Sequence, residues 1–321
     1  MRIINLKDTN SDTVIASDID WNYYLGTGTV WTAWSSDTSY AVGVIAFAYE
    51  YAEYVSGSTG WEPHAVFKAL AVIDGSATDN KNPWIDSSRW EHIGTSDRWA
   101  AYDDLLSTYS QSETSHTVTI DSAGCNYAIL TGLDANSVTF TLRSTYLGTI
   151  KKTETINLTY PQTSSTWWAY FFEPKKRIRQ LVWEFPTYSG SALTAVFTTD
   201  TGEMVKVGSF KVGCASDRIF GAQKGLTSKL RDYTTKGTFY AISAGPNARD
   251  IDFTCYLTKD NVDQIEDLFS AQIGRIAAYD CNDEQESRTG SLAVLAIINN
   301  FTRIFEYKDI IKCNVSLTGV T

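Results

Sequence analysis

Apolar and polar residues alternate in short runs through the middle of the chain, and the runs are separated by Gly, Ser, Asp and Pro. Such short runs, some alternating and some continuously apolar, predict strands over 117–120, 127–130, 137–142, 155–158, 168–172, 178–185, 193–197 and 205–212. Short strands at that spacing predict a β-sandwich or jelly roll as the main body, over 116–213. Upstream, the apolar runs 41–47 and 64–71 are separated by Gly57, Gly60 and Pro63 and predict a hairpin. Downstream, strand-like runs at 251–257, 276–279, 291–299, 301–307 and 311–317 surround one stretch of helical period. There Asp260 is placed to cap a helix, Val262, Ile265, Leu268, Phe269 and Ile273 share one face, and Gly274 ends it.

The expected architecture is therefore mainly β. It comprises an N-terminal arm over 1–39, a small aromatic-rich β subdomain over 40–115 and the sandwich over 116–213. A crossover over 214–236 then leads to a C-terminal α+β sheet domain over 237–321 carrying one helix. The arm has its own anchors in Trp21, Tyr23, Tyr24, Trp31 and Trp34. Such a segment is ordered either by lying on another chain or by packing on its own domain, and the residues leave both open.

One stretch fits neither period. Residues 83–105 carry Trp84, Trp90, Trp99 and Tyr102 among Asp, Arg, His and Gly, and read as a loop held together by burial of its rings, with Asp97, Arg98 and Asp103 bonding its turns.

Composition strengthens the β reading. Hydrophobic residues make up 43% of the 321, and 18 Tyr, 14 Phe and 10 Trp stand against 2 Met. Aromatic and β-branched side chains favour strands. The formal charge of −10 repels phosphate backbones, which argues against nucleic acid as a partner. A local exception, Lys175-Lys176-Arg177-Ile178-Arg179, reads either as a solvated turn or as a surface facing an acidic neighbour. The apolar run 40–54 is interrupted by Glu50 and Glu53 and is too short to span a bilayer. The opening residues lack the basic start and apolar run of a secretion signal, so synthesis and assembly in a cytoplasm are expected.

Candidate chemistry is sparse. The five Cys (Cys125, Cys214, Cys255, Cys281 and Cys313) form no C-x-x-C, so buried thiols are expected rather than a zinc site or a disulfide framework. Only His64, His92 and His116 can serve as imidazole bases, and no G-x-S-x-G elbow accompanies them. His64 reads as an ordinary strand residue and His92 as bonding a neighbouring turn. Asp86, Glu91, Asp103 and Asp104 could supply a glycosidase's carboxylate pair, but in a chain with 37 Asp and Glu abundance is not evidence. Asp280, Asn282, Asp283, Glu284 and Glu286 lack the pattern of an EF-hand and read as a solvated hairpin tip. No catalytic residue, cofactor or metal site is assigned.

The aromatic stretch carries a resemblance. Trp90-Glu91-His92-Ile93-Gly94-Thr95-Ser96-Asp97-Arg98-Trp99-Ala100-Ala101-Tyr102-Asp103 resembles a motif recurring in tail proteins of tailed bacteriophages. Its matching positions are Trp90, Ile93, Gly94, Arg98, Trp99, Tyr102 and Asp103; Asp97 and Tyr102 stand where that family usually has Asn and often has Phe. The strand order that follows is similar to the galactose-binding-like sandwiches attached to this motif, and the C-terminal region resembles small tail-tube and baseplate-hub domains. The resemblance implies a non-enzymatic virion protein of a tail tip or baseplate. It would form a ring of its own copies and contact neighbouring tail tube, baseplate or fibre proteins. A competing expectation is a carbohydrate-binding module reading cell-surface glycan, with Trp84, Trp90 and Trp99 as the stacking rings.

Overall fold

The computed structural model describes residues 2–7, 14–19, 23–24, 29–30, 33–48, 65–75, 82–83, 85–102, 108–160, 167–168, 177–215, 223–227, 230–235, 238–243, 250–258, 267, 269–270, 272–273, 275–280, 293–305 and 310–319. The fold is mainly β, built from antiparallel sheets with scarcely any helix.

A five-stranded sheet runs in the order Ile150–Asn157, Ser137–Arg143, Ala192–Thr198, Ser115–Asp121 and Val14–Ser17. In Ser137–Arg143 alternate residues are buried, as a half-buried strand requires, and Val138, Phe140 and Leu142 point inward beside Leu193, Ala195, Phe197, Val118 and Ile120. Outward, the hydroxyls of Thr139 and Thr155 meet at 2.9 Å, as do those of Thr119 and Thr194. Such cross-strand pairs each contribute a few tenths of a kcal/mol, up to about 1 kcal/mol.

The facing sheet has nine strands, in the order Gln180–Glu184, Tyr127–Thr131, Ser209–Ala215, Arg2–Leu6, Ile276–Asp280, Ala293–Phe305, Ile310–Gly319, Asp250–Thr258 and Gln223–Thr227. Its first strands close the sandwich: Ala128, Leu130, Leu181, Trp183, Phe210 and Val212 join the inward residues of the five-stranded sheet in one core. The Phe140 and Trp183 rings stack across the interface, 4.4 Å apart and 10° from parallel. Tyr127–Thr131 is buried at every position because its other face also carries a core, formed by Ile4, Tyr127, Ile129, Val182, Ala278 and Leu295. Two-sided burial explains why this strand reads as an apolar run rather than an alternation.

The exposed edge at Ile150–Asn157 is protected by charges turned inward. Trp183 Nε1 donates to Glu154 Oε2 at 3.0 Å. Lys152 lies 4.9 Å over the same indole and donates to the Glu184 carbonyl. A three-stranded sheet, Ile45–Ala48, Ala65–Ala69 and Trp90–Thr95, has its own core, and two-stranded ribbons pair Met204–Val207 with Ser110–Glu113, Leu230–Thr235 with Thr238–Ser243 and Tyr23–Tyr24 with Thr29–Val30.

Several expectations need correction. The expected strand 205–212 is two strands broken at Gly208. There the backbone passes so close to Gly132 that a Cβ on Gly208 would lie 3.1 Å from the Gly132 Cα, and the chain changes sheets at that point. The stretch read as a crossover carries the strands Gln223–Thr227 and Leu230–Thr235. The runs 291–299 and 301–307 form one strand, Ala293–Phe305, whose pairing slips one residue between Ile298 and Asn300. Trp168, expected in a strand, stands with Trp167 in a helical turn. Most of the expected helix lies outside the described residues, including Asp260, Val262, Ile265, Leu268 and Gly274. Asp267, Phe269, Ser270 and Gln272 are helical, and Phe269 is buried against Phe301 with ring centroids 4.7 Å apart. Ile273 is 63% exposed and does not join that apolar face.

Of the arm, Arg2–Leu6 is an interior strand of the nine-stranded sheet, between Ser209–Ala215 and Ile276–Asp280, and Val14–Ser17 is an edge of the five-stranded sheet. Both pack on their own chain. Its anchors Trp21 and Trp31 lie outside the described residues. Among the described residues no helix is long and apolar enough to cross a membrane.

Candidate functional site

The aromatic stretch is not one loop. Its first part, Trp90–Thr95, is a strand paired with Ala65–Ala69, and its alternation is hidden by a register shift: Val66 opposes Gly94 while Phe67 opposes His92, so Ile93 is the extra residue. Gly94 sits at φ +138°, a backbone conformation that side-chain-bearing residues rarely adopt. Its second part is a pair of tight turns, in which Trp99 N and Ala100 N both bond Ser96 O, at 2.9 and 3.0 Å, and Tyr102 N bonds Trp99 O at 2.8 Å.

This geometry sends the motif rings into separate cores. Trp90 is buried in the three-stranded sheet with Tyr40, Phe67 and Ile73, and meets the Tyr40 ring edge-on at 5.1 Å. Ile93 packs beside Ile45, Phe47 and Val66 on the other face. Trp99 and Tyr102 instead enter the sandwich core beside Val205, Val207 and Phe210. Two hydrogen bonds hold them there: Ala101 N donates to Ser110 Oγ at 3.0 Å, and Phe210 N donates to Ala101 O at 3.2 Å.

Arg98 is half-buried with its guanidinium 5.8 Å from the Trp99 ring centroid, and its Nε has no hydrogen-bond partner among the described residues. The Tyr102 hydroxyl likewise has none. Burial pushes its pKa far above the ordinary value, and the nearby Arg98 charge offsets this only in part. Asp103 and Trp84 lie outside the described residues. Trp90 and Trp99, at 2% and 3% exposure, present no face on which a sugar could stack.

The other candidates are dispersed. Asp86 closes its own turn, accepting from Ser88 N at 3.2 Å and approaching Arg89 at 3.7 Å. His92 is exposed beside Phe67. His116 is buried, stacked on Phe197, with Nδ1 2.6 Å from Asp18 Oδ1. His64, Asp104 and residues 281–292 lie outside the described residues. Among the described residues no three His, Cys, Asp or Glu gather as a metal site would require. Cys125 is buried, which pushes its thiol up to about 11, and Cys214 is exposed.

Sequence reasoning singled out the basic run that contains Arg177 but not the residues Arg177 binds. Arg177 donates to Asp134 and Glu203, to Asn136 Oδ1 at 3.1 Å and to Thr199 Oγ1 at 3.4 Å. Burial works against its charge, but the bonds to Asp134 and Glu203 outweigh burial and hold its pKa above the ordinary value. The acidic neighbours of Arg177 are thus on the same chain. The only sequence signal was one Arg after a Pro-Lys-Lys, with partners far away along the chain.

No protein-family model matches the chain, and no characterised protein or solved structure compared with it is similar to it.

Proposed function

We propose that this chain is a structural component of a bacteriophage tail tip or baseplate, assembled in several copies around an axis and joining the end of the tail tube to the parts that contact the host. The observation that carries the reading is the division of the motif that resembles phage tail proteins: Trp90 and Trp99 are spent on two internal cores, a use that fits a rigid building block rather than a ligand platform. Among the described residues the nine-stranded sheet ends at Gln223–Thr227, an edge suited in this reading to pairing with a neighbouring subunit. In this reading the chain resides in the virion tail after assembly in the host cytoplasm and catalyses no reaction.

Burial of Trp90 and Trp99 weighs against the carbohydrate-binding alternative at this segment. The test is mass spectrometry of purified virions together with a reconstruction of the particle. Recovery of the chain in a ring at the distal tail is the expected result. A stable monomer that is absent from virions would end the proposal.

A further inference from the structure

Two cysteines far apart in sequence meet at one end of the sandwich. In Ser209–Ala215, Phe210 and Val212 face the sandwich core and Ala215 packs on the opposite one, so strand alternation turns Cys214 to the sandwich side, at the strand's exposed end. Cys125 is buried in that same sandwich core, in the turn that leads into Tyr127–Thr131. The register that sets Tyr127 opposite Gly213 brings Asn126 opposite Cys214, with Cys125 one residue on. Hydrogen bonds hold the two segments together there: Asn126 N donates to Gly213 O at 3.0 Å, and Ala215 N donates to Asn126 Oδ1 at 2.9 Å. The Cys214 thiol donates to the Gly124 carbonyl at 3.2 Å. One peptide unit separates that oxygen from the Cys125 Cα, so the Cys214 sulfur lies within about 7 Å of it.

We propose that Cys125 and Cys214 are a redox pair, oxidised by a peroxide to a disulfide that clasps the 122–126 turn to the end of Ser209–Ala215. Exposure decides the order of events, because only Cys214 meets solvent. Its thiolate attacks one peroxide oxygen and breaks the O–O bond, giving a sulfenic acid, and the released hydroxide takes up the thiol proton as water. Cys125 Sγ then attacks the Cys214 sulfur, the S–O bond breaks, and the hydroxyl leaves as a second water with the Cys125 proton. Two thiols and one peroxide thus become one disulfide and two waters, and the two electrons lost by the sulfurs reduce the peroxide. Burial pushes the Cys125 thiol up to about 11, against the pull of the Lys7 charge, and Cys214 and Asp121 add to the rise. Cys125 is therefore suited to the second, intramolecular step and not to the first. The bond would close one covalent loop around the strands from Tyr127–Thr131 to Ser209–Ala215. The pair goes beyond the assembly reading and does not rest on it.

The test treats the folded, full chain with hydrogen peroxide, blocks remaining thiols by alkylation and maps the peptides by mass spectrometry. The expected major product joins the Cys125 and Cys214 peptides, lighter by two hydrogens, and dithiothreitol separates them again. Cys214→Ser, at an exposed position, keeps the fold and loses the crosslink, with Cys125 recovered as the alkylated thiol. Cys125→Ala leaves Cys214 as a sulfenic acid that dimedone traps; if that variant folds poorly, dimedone labelling of the wild type during oxidation reads the same intermediate. Recovery of both cysteines as thiols overturns the proposal, as does Cys214 carried on to sulfinic acid while Cys125 stays reduced. Pairing of Cys214 with any other cysteine, or a crosslink that forms only in denaturant, also overturns it.

Discussion

The Trp99 and Tyr102 rings meet edge to face, centroids 6.1 Å apart, inside the sandwich core, while the Tyr102 hydroxyl finds no hydrogen-bond partner among the described residues. The pair therefore combines a favourable aromatic contact with an uncompensated buried hydroxyl. Tyr102→Phe keeps the ring and removes the unsatisfied group, so denaturant unfolding should show unchanged or increased stability, by up to about 1 kcal/mol. A clear loss would mean that the hydroxyl is bonded in solution.

Trp90 and Trp99 belong to different cores, and truncating them should have different reach. Each change to Ala costs about 3–5 kcal/mol where the ring is buried. Trp90→Ala should raise amide exchange chiefly in Ile45–Ala48, Ala65–Ala69 and Trp90–Thr95, the strands around its core. Trp99→Ala should raise exchange in Tyr127–Thr131 and Ser209–Ala215 of the sandwich. Indistinguishable exchange maps for the two variants would contradict the separation.

Arg177 serves several acceptors at once through its planar fork. Arg177→Met should cost about 1–2 kcal/mol in chemical denaturation, a modest figure because the Asp134 and Glu203 side chains are both 46% exposed. Arg177→Lys should rescue little of this, since an ammonium cannot reproduce the fork. Full rescue by Lys would show that charge alone matters at this position.

Lys7 donates to Asp121 at 2.7 Å, tying the segment after the first strand to the end of Ser115–Asp121. Burial raises the Asp121 pKa, but the hydrogen bonds from Lys7 and Ala123 N and the Lys7 charge outweigh it and hold the carboxyl below its ordinary 3.8. A depressed folded-state pKa contributes stability above the unfolded value and loses it as pH falls through the folded value. Stability should therefore decline as pH drops below about 4, and Asp121→Asn should flatten part of that decline. With the carboxylate 35% exposed the effect stays under about 1 kcal/mol, so paired melts of wild type and variant are the suitable readout.

The His116 and Asp18 pair fastens Val14–Ser17 to its neighbour, and Asp18 Oδ2 also accepts from Thr117 N at 2.6 Å. A double-mutant cycle with His116→Leu and Asp18→Ala should return a coupling of about 1–3 kcal/mol. Coupling near zero would make the contact incidental.

The strands that face solvent on one side were legible because burial on one face writes an alternation into the sequence: Ser137–Arg143 and Ala192–Thr198 are found within a residue of where the pattern puts them. The strand Trp90–Thr95 was not, because a bulge at Ile93 and Gly94 breaks the period that pattern-reading depends on. Nor was the break at Gly208, which depends on how closely Gly132 approaches from another segment.

What the sequence by itself determined is the class: strands rich in aromatic and β-branched residues, scarce helix, and a motif whose indoles call for burial. Tertiary structure alone decided which core each indole fills, that Arg2–Leu6 lies within a large sheet rather than on a neighbour, and which carboxylates Arg177 holds. The physical reason is range. Alternation and propensity are local properties of the chain, whereas partners such as Ile4 and Ala215, or Asp134 and Arg177, are set only when distant segments are brought into register.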